Sequence, residues 1–282
     1  MKLMDNKKLA AVVVPFYKTS LGEFEKISLT QCFKVLSAHP IIAIKPQSLN
    51  LSEIPGCENF VDVVSFDDAY FKNVQGYNHL MLSAVFYQQF LDYEFILIHQ
   101  LDAFVFINEL AKWAHEDYDY IGAPWLKRIP DKGNFAELIT IIKTKFYTYF
   151  NIFKYGLPSD RQFDNAVGNG GFSLRKVRVF YELSKKCKPQ MEAYLHRAEH
   201  KFHEDAFWSI EVNRKKRRLK IPGYKKALLF SFENDPDRCL KYTDNQLPFG
   251  CHAWGLHIDF WRPYFEKQGY FLPVSNTKEI FS

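Results

Sequence analysis

The chain has 282 residues, 47% of them hydrophobic and 24% charged; this excludes an intrinsically disordered, collagen-like or low-complexity protein and leaves one large α/β domain or two smaller ones. Its net charge of +5, from 37 basic and 32 acidic residues, suits an anionic small ligand or a membrane surface and is too small to demand nucleic acid. Aromatic residues reach 17%, with 27 Phe, 16 Tyr and 5 Trp, enough for both a core and rings that stack on bases or sugars. Five scattered cysteines without a C-x-x-C pair point to free thiols in a reducing compartment. No small-residue cleavage site follows the apolar run Leu9–Phe16, and no stretch approaches the roughly 20 apolar residues of a membrane span. The expected location is the cytoplasm, with peripheral contact to the inner face of the membrane as an added expectation.

Ala10–Val14 is a continuous apolar run stopped by Pro15, the pattern of a strand buried on both faces of a parallel sheet. Ser20 and Glu23 are spaced as a capping box, and Leu21, Phe24, Ile27, Cys32 and Leu36 mark a helical face behind them. Residues 41–44 and 60–64 read as the second and third strands, 77–93 as helical, and 95–98 as the fourth strand. Residues 135–153 are helical but too apolar for a well-solvated face: a lid, a packing helix or an interfacial membrane helix. A loop over 153–162, a Gly/Asn-rich turn at 168–171 and a helix over 176–186 follow. The alternation predicts a doubly wound, mostly parallel sheet flanked by helices, with its ligand crevice at the carboxyl ends of the strands.

There is no G-x-G-x-x-G after the first strand, no phosphate-binding G-x-x-x-x-G-K-S/T and no G-x-S-x-G elbow. His196–His200 fits the H-x-x-E-H pattern of a zinc peptidase, set against a plain polar helix, and no distant third ligand is evident. Asp102 just beyond the fourth strand either caps a turn or holds a hard cation on two phosphates. Glu204 and Asp205 enter an aromatic-rich helix; a carboxylate there either caps the helix or, with a raised pKa, serves as a general base. The basic run Arg214–Arg218 reads as a solvated surface or as a site for phosphate or anionic lipid.

Five blocks occur in order: Gln100–Phe106 (QLDAFVF), Tyr118–Trp125 (YDYIGAPW), Gly168–Arg175 (GNGGFSLR), His203–Ser209 (HEDAFWS) and Pro248–Trp254 (PFGCHAW). Together with Pro15-Phe16-Tyr17 this order resembles the bacterial DUF5672 group, associated with glycosyltransferases of the GT-A type. The resemblance implies a single GT-A-like domain over 1–282, with a nucleotide-sugar half at about 8–110, an acceptor-binding and catalytic half at about 111–262, and an insertion at about 130–160. It further implies a nucleotide-sugar donor, a glycan or lipid-linked acceptor, and a role in surface polysaccharide synthesis. A non-catalytic nucleotide-sugar or glycan-binding protein of the same fold is the alternative. On that resemblance the donor contacts are Pro15, Tyr17, Tyr77, Asn78, Gln100, Asp102, Gly170 and Gly171, and Trp125, Phe172, Trp208 and Trp254 offer faces to the acceptor. Asp205, with Glu204 as fallback, matches the base of inverting enzymes of this type. Where the fold type commonly carries Asp-x-Asp for Mn²⁺ or Mg²⁺, this chain has Gln100-Leu101-Asp102, so a divalent cation would rest on Asp102 aided by His252, and Arg175 or the basic run offers another neutraliser of phosphate charge.

Overall fold

The computed structural model describes residues 7–272. Six strands form the central sheet: β1 (Lys8–Pro15), β2 (Ile41–Pro46), β3 (Asp62–Phe66), β4 (Tyr93–His99), β5 (Tyr120–Ile121) and β6 (Phe172–Lys176), in the spatial order β3-β2-β1-β4-β6-β5. β1, β2, β3 and β4 are mutually parallel, and β6 runs antiparallel to both β4 and β5. The sheet is therefore mixed, parallel over four strands.

β-Branched and small residues let β1 lie at the centre with both faces covered. Ala11 and Val13 join Ile42, Ile96 and Ile98 in one core cluster, while Ala10, Val12 and Val14 join Ala43, Phe95 and Leu97 in the other. The register pairs Val13 with Ile42 on one side and with Ile98 on the other. From β1 the chain moves outward to β3 and returns to β4 on β1's free side, so the strand order reverses between β1 and β4. The carboxyl ends of these two strands, at Tyr17 and Gln100, frame the crevice such a reversal creates.

Helix α1 (Glu23–Leu36) begins with Gly22 at its N-cap, whose N–H donates to Glu25 Oε2 at 2.7 Å. The expected Ser20/Glu23 pair is thus two residues early, because Glu23 is already helical. The segment expected as one helix over 77–93 is split by Ser83 into α2 (Val74–Leu82) and the short helix Ala84–Gln88; Ser83 Oγ accepts the Phe86 N–H and caps the second piece. The third strand lies two residues later than expected. Helix α3 (Asn134–Tyr149) is followed by a two-stranded hairpin, Phe153–Lys154 against Leu157–Pro158, within the segment expected as loop. Helices α4 (Val177–Lys186), α5 (Glu204–Ser209) and α6 (Ile258–Glu266) complete the elements used below.

A small sheet of Phe104–Val105, Ser231–Phe232 and Gly250–Cys251 extends past the end of β4. Cys251 pairs with Phe104 and with Phe232. This register carries His252 and Glu233, one residue past each paired strand, to the side of Asp102.

Candidate active site

A cleft of about 390 Å³ opens at the β1/β4 reversal, and Tyr17, Tyr77, Asn78, Gln100, Gly170 and Gly171 line it. The structure thus brings together six of the eight expected donor residues; Pro15 ends β1 without reaching the lining, and Asp102 stands behind it, against His252. His203, Glu204, Asp205 and His252 close the other side. Asn78 Oδ1 accepts the Glu204 N–H at 3.1 Å and so ties α2 to the start of α5. Asn78 Nδ2 is buried without a hydrogen-bond partner, and Tyr77 Oη, although near Tyr17 and Gln100, makes no hydrogen bond of good geometry. Leaving such groups unsatisfied is costly, and in a cleft they mark places for ligand atoms.

His252 Nδ1 lies 3.1 Å from Glu233 Oε1, and Nε2 lies 3.2 Å from Asp102 Oδ1 and 3.3 Å from Gln100 Oε1. Burial opposes its protonation, but Asp102 and Glu233 outweigh burial and raise His252 to about 10. Burial likewise opposes ionisation of Asp102, which His252 nonetheless holds below the usual carboxylate range. Gly171 makes room for this group: a Cβ there would stand 1.9 Å from His252 Nε2 and 2.6 Å from Gln100 Oε1.

Glu204 has both oxygens committed. Arg175 Nη2 and Nη1 donate to Oε1 at 2.8 Å and Oε2 at 3.0 Å, with the two side chains 0% and 4% exposed. This corrects two expectations. Glu204 is the acceptor half of a buried bidentate pair and not a free base, and Arg175, further bound to Tyr87 Oη at 2.9 Å, is not available to phosphate. Gly170 is needed here for space, since a Cβ would meet Glu204 Oε1 at 2.4 Å.

Asp205 is half-buried beside that pair. Burial, then Glu204 and Glu233, push its carboxyl up to about 7. His203, burdened by burial and by His200, stays below the usual imidazole range. A second cavity of about 270 Å³, lined by Trp125, Phe163, His200 and Lys201, shares His203 and Asp205 with the first. The pairing of Trp125 with Ala166 sets its ring 5.7 Å from Phe163, so the two aromatic faces form part of this cavity's wall.

The other aromatic residues expected at the acceptor are core. Phe172, Trp208 and Trp254 are 0–1% exposed; Trp208 packs on Phe180 at 4.4 Å, and Trp254 Nε1 donates to Ser28 Oγ at 3.0 Å. His196–His200 does not form one helix face, because the preceding helix ends at Leu195 and a 3-10 turn begins at His200. Among the described residues no group of three or more His, Cys, Asp or Glu is arranged to hold a metal ion unaided. Within the basic run, Arg214 is buried on Glu211 and Gln162, while Lys215, Lys216 and Arg217 are exposed. Glu233, His203 and Phe163 were missed. Glu233 follows the apolar run Leu228–Phe232, the same acid-after-strand pattern that singles out Asp102, and that was the available signal.

The fold and the crevice define a glycosyltransferase fold of the GT-A type. The chain resembles the galactosyltransferase LgtC, solved in complex with donor and acceptor sugar analogs, with a TM-score of 0.55 at 10% identity over 94% of this chain and 98% of that one. It also aligns with apo mouse xyloside xylosyltransferase 1, with a TM-score of 0.46 at 11% identity over 87% and 97%. No curated protein matches the sequence. The chain belongs to the family described as protein of unknown function (DUF5672), whose model matches residues 60–252.

Proposed function

We propose that the protein transfers a sugar from a nucleoside-diphosphate sugar to a glycan or lipid-linked acceptor with inversion at the anomeric carbon. The observation that carries this reading is that Asp205 and His203 line both cavities at once. A donor in the β1/β4 cleft and an acceptor against Trp125 and Phe163 would meet at the one carboxylate whose pKa, about 7, suits a base at neutral pH. Asp205 takes the acceptor hydroxyl proton as that oxygen bonds to the anomeric carbon, while the bond to the diphosphate oxygen breaks on the opposite side and the nucleoside diphosphate departs.

The residues at the cleft mouth fit a divalent cation. Asp102 Oδ1 and Gln100 Oε1 both lie against His252 Nε2, and a Cβ on Gly171 would collide with the Gln100 and His252 atoms. Asn169 Nδ2 and Glu233 Oε1 face the other ring nitrogen at 2.9 and 3.1 Å and fix the orientation of the imidazole. Asp102, His252 and Gln100 would hold the ion, which would neutralise charge on the departing diphosphate. The cleft favours such an ion, because none of its lining residues among those described is Lys or Arg.

The test is Asp205→Asn assayed over a panel of nucleotide sugars with Mn²⁺ present. Loss of transfer with donor affinity kept is the expected result. A wild-type protein that binds a nucleotide sugar and neither transfers nor hydrolyses it would establish a binding protein instead.

A further inference from the structure

Helix α3 is turned inside out relative to the usual surface helix. Of its 16 residues only Thr140 is buried. The inward face is polar: Thr140 Oγ1 bonds Lys127 Nζ and Asp131 at 2.8 and 2.9 Å, and Glu137 bonds Tyr224 and Lys225 at 2.9 and 2.8 Å. The outward face carries Phe135, Leu138, Ile142, Phe146 and Tyr149, which are 77, 51, 58, 53 and 49% exposed. With about 100° between successive residues these positions fall in a single stripe, with Lys145 along one edge and Lys143 along the other. Past the helix, Phe150, Phe153 and Tyr155, at 59, 43 and 90% exposed, prolong the apolar surface. Lys215 closes its C-terminal end: Nζ stands 4.1 Å from the Tyr149 ring centre and donates to Tyr149 O, which brings the exposed Lys216 and Arg217 to the same edge.

We propose that this face docks on an anionic lipid bilayer, with the apolar stripe at the boundary of headgroups and acyl chains and the flanking cations against lipid phosphates. The charge pattern selects this occupant. Glu137, the one acidic residue of the helix, is turned inward to Tyr224 and Lys225, so the outer rim is cationic. Two copies meeting on this face would press like charges together, whereas an anionic surface meets them with the opposite sign. Among the described residues no helix is long and apolar enough to cross a membrane, so the contact lies along the surface. The docking is independent of the transfer chemistry, but it bears on it. Gln162 Nε2 donates to Ile152 O at 2.9 Å, and this turn leads into Phe163 of the second cavity.

The experiment is co-sedimentation of the full-length chain with vesicles of phosphatidylcholine alone or with phosphatidylglycerol added, at low and high salt. The expected result is binding to the anionic vesicles that falls at high salt. Phe135→Ser/Leu138→Gln/Ile142→Gln/Phe146→Ser should abolish it without lowering the melting temperature, since all four side chains face solvent. Should that variant fail to fold, Lys143→Glu/Lys145→Glu decides, with an expected loss in partitioning of more than about tenfold. The proposal is overturned by a wild-type protein that ignores anionic vesicles at low salt, or by binding that both variants leave unchanged. It is equally overturned by a dimer in light scattering that the apolar variant dissolves while vesicles are not bound.

Discussion

Asp102 Oδ1 and His252 Nε2 face each other at 3.2 Å beside the β1/β4 cleft, one from just past the end of β4 and the other from just past a strand paired to the residues beyond it. The contact is held by a proton. His252 would have to give up that proton to hold a divalent cation through Nε2, and this sets the sign of the pH dependence. With His252 raised to about 10, cation binding should release close to one proton near neutral pH and tighten as pH rises. Calorimetry of Mn²⁺ binding in two buffers of different ionisation heat measures that proton count; a count near zero would remove His252 from the ligand set. Without the cation the linkage runs the other way for stability. A raised imidazole stabilises the fold fully below its ordinary value of 6.5 and loses that contribution as pH climbs through about 10. The wild type should therefore lose melting temperature over this range, and His252→Gln should show a flatter profile.

Asp205 supplies a separate titration. As the base it must be ionised, so kcat/KM should rise with pH to a plateau above about 7. Asp205→Asn should lower kcat by about 10²–10⁴-fold while leaving the donor dissociation constant nearly unchanged. Its stability signature has the opposite sign. A carboxyl raised by burial favours the fold below its ordinary value of 3.8 and loses that advantage as pH rises through about 7. Asp205→Asn is accordingly expected to melt at or above the wild type at pH 8. A variant that lost activity together with several degrees of melting temperature would assign Asp205 to structure.

The central sheet was legible because β1 and β4 are buried on both faces, and such strands read as unbroken apolar runs whatever surrounds them. The cleft was legible at its strand ends for a related reason: Tyr17, Gln100 and Asp102 stand within a few residues of where those runs end. Arg175 was misread because its partner Glu204 lies 29 residues away on another element, and nothing local to either residue marks the pairing. Phe172, Trp208 and Trp254 failed similarly. An aromatic ring has the same composition in a core as against a sugar, and only the packing decides which it is: Phe180 of α4 against Trp208, Phe265 of α6 against Trp254, and Phe230 and Phe249 against Phe172. The break at Ser83 was hidden because the apolar spacing continues through it in register with both helices.

Gly171 separates space from conformation. Its φ is not in the left-handed region, so alanine meets no backbone strain there, but a Cβ would stand 1.9 Å from His252 Nε2 and 2.6 Å from Gln100 Oε1. Gly171→Ala must displace both side chains, and with His252 its contact to Asp102. The expected outcome is a Mn²⁺ affinity lowered by at least about tenfold, in the range seen when metal-ligand orientation is disturbed, with a smaller fractional effect on donor binding measured without metal. Unchanged Mn²⁺ affinity in a folded Gly171→Ala protein would place the cation elsewhere.

The Arg175–Glu204 pair should behave as a buried ion pair in a polar cage. Removing one partner strands the other charge, so Arg175→Met or Glu204→Leu alone is expected to cost about 3–5 kcal/mol in urea unfolding. The double replacement should cost clearly less than the sum. Tyr87 Oη and the Gly170 carbonyl also face Arg175, so the double variant still leaves some polar atoms unsatisfied and is not expected to exceed the wild type. Additive single costs in the double-mutant cycle would show that the two side chains do not act together.

Tyr77 tests whether the unsatisfied groups in the cleft await a ligand. Its ring belongs to a core cluster with β1 and packs 5.7 Å from Tyr17, yet its buried hydroxyl, near Tyr17 and Gln100, makes no hydrogen bond of good geometry. Tyr77→Phe keeps the ring and removes only the oxygen. If that oxygen serves the fold, the variant should be less stable; if it serves a ligand, the empty protein gains or holds stability because an unmet desolvation cost disappears. The expectation is a melting temperature at or slightly above the wild type, together with nucleotide-sugar affinity lowered by about three- to tenfold, the worth of one hydrogen bond. Thermal shift with and without nucleotide sugar reads both effects in one experiment, and equal ligand-induced shifts in the two proteins would remove Tyr77 from the donor site.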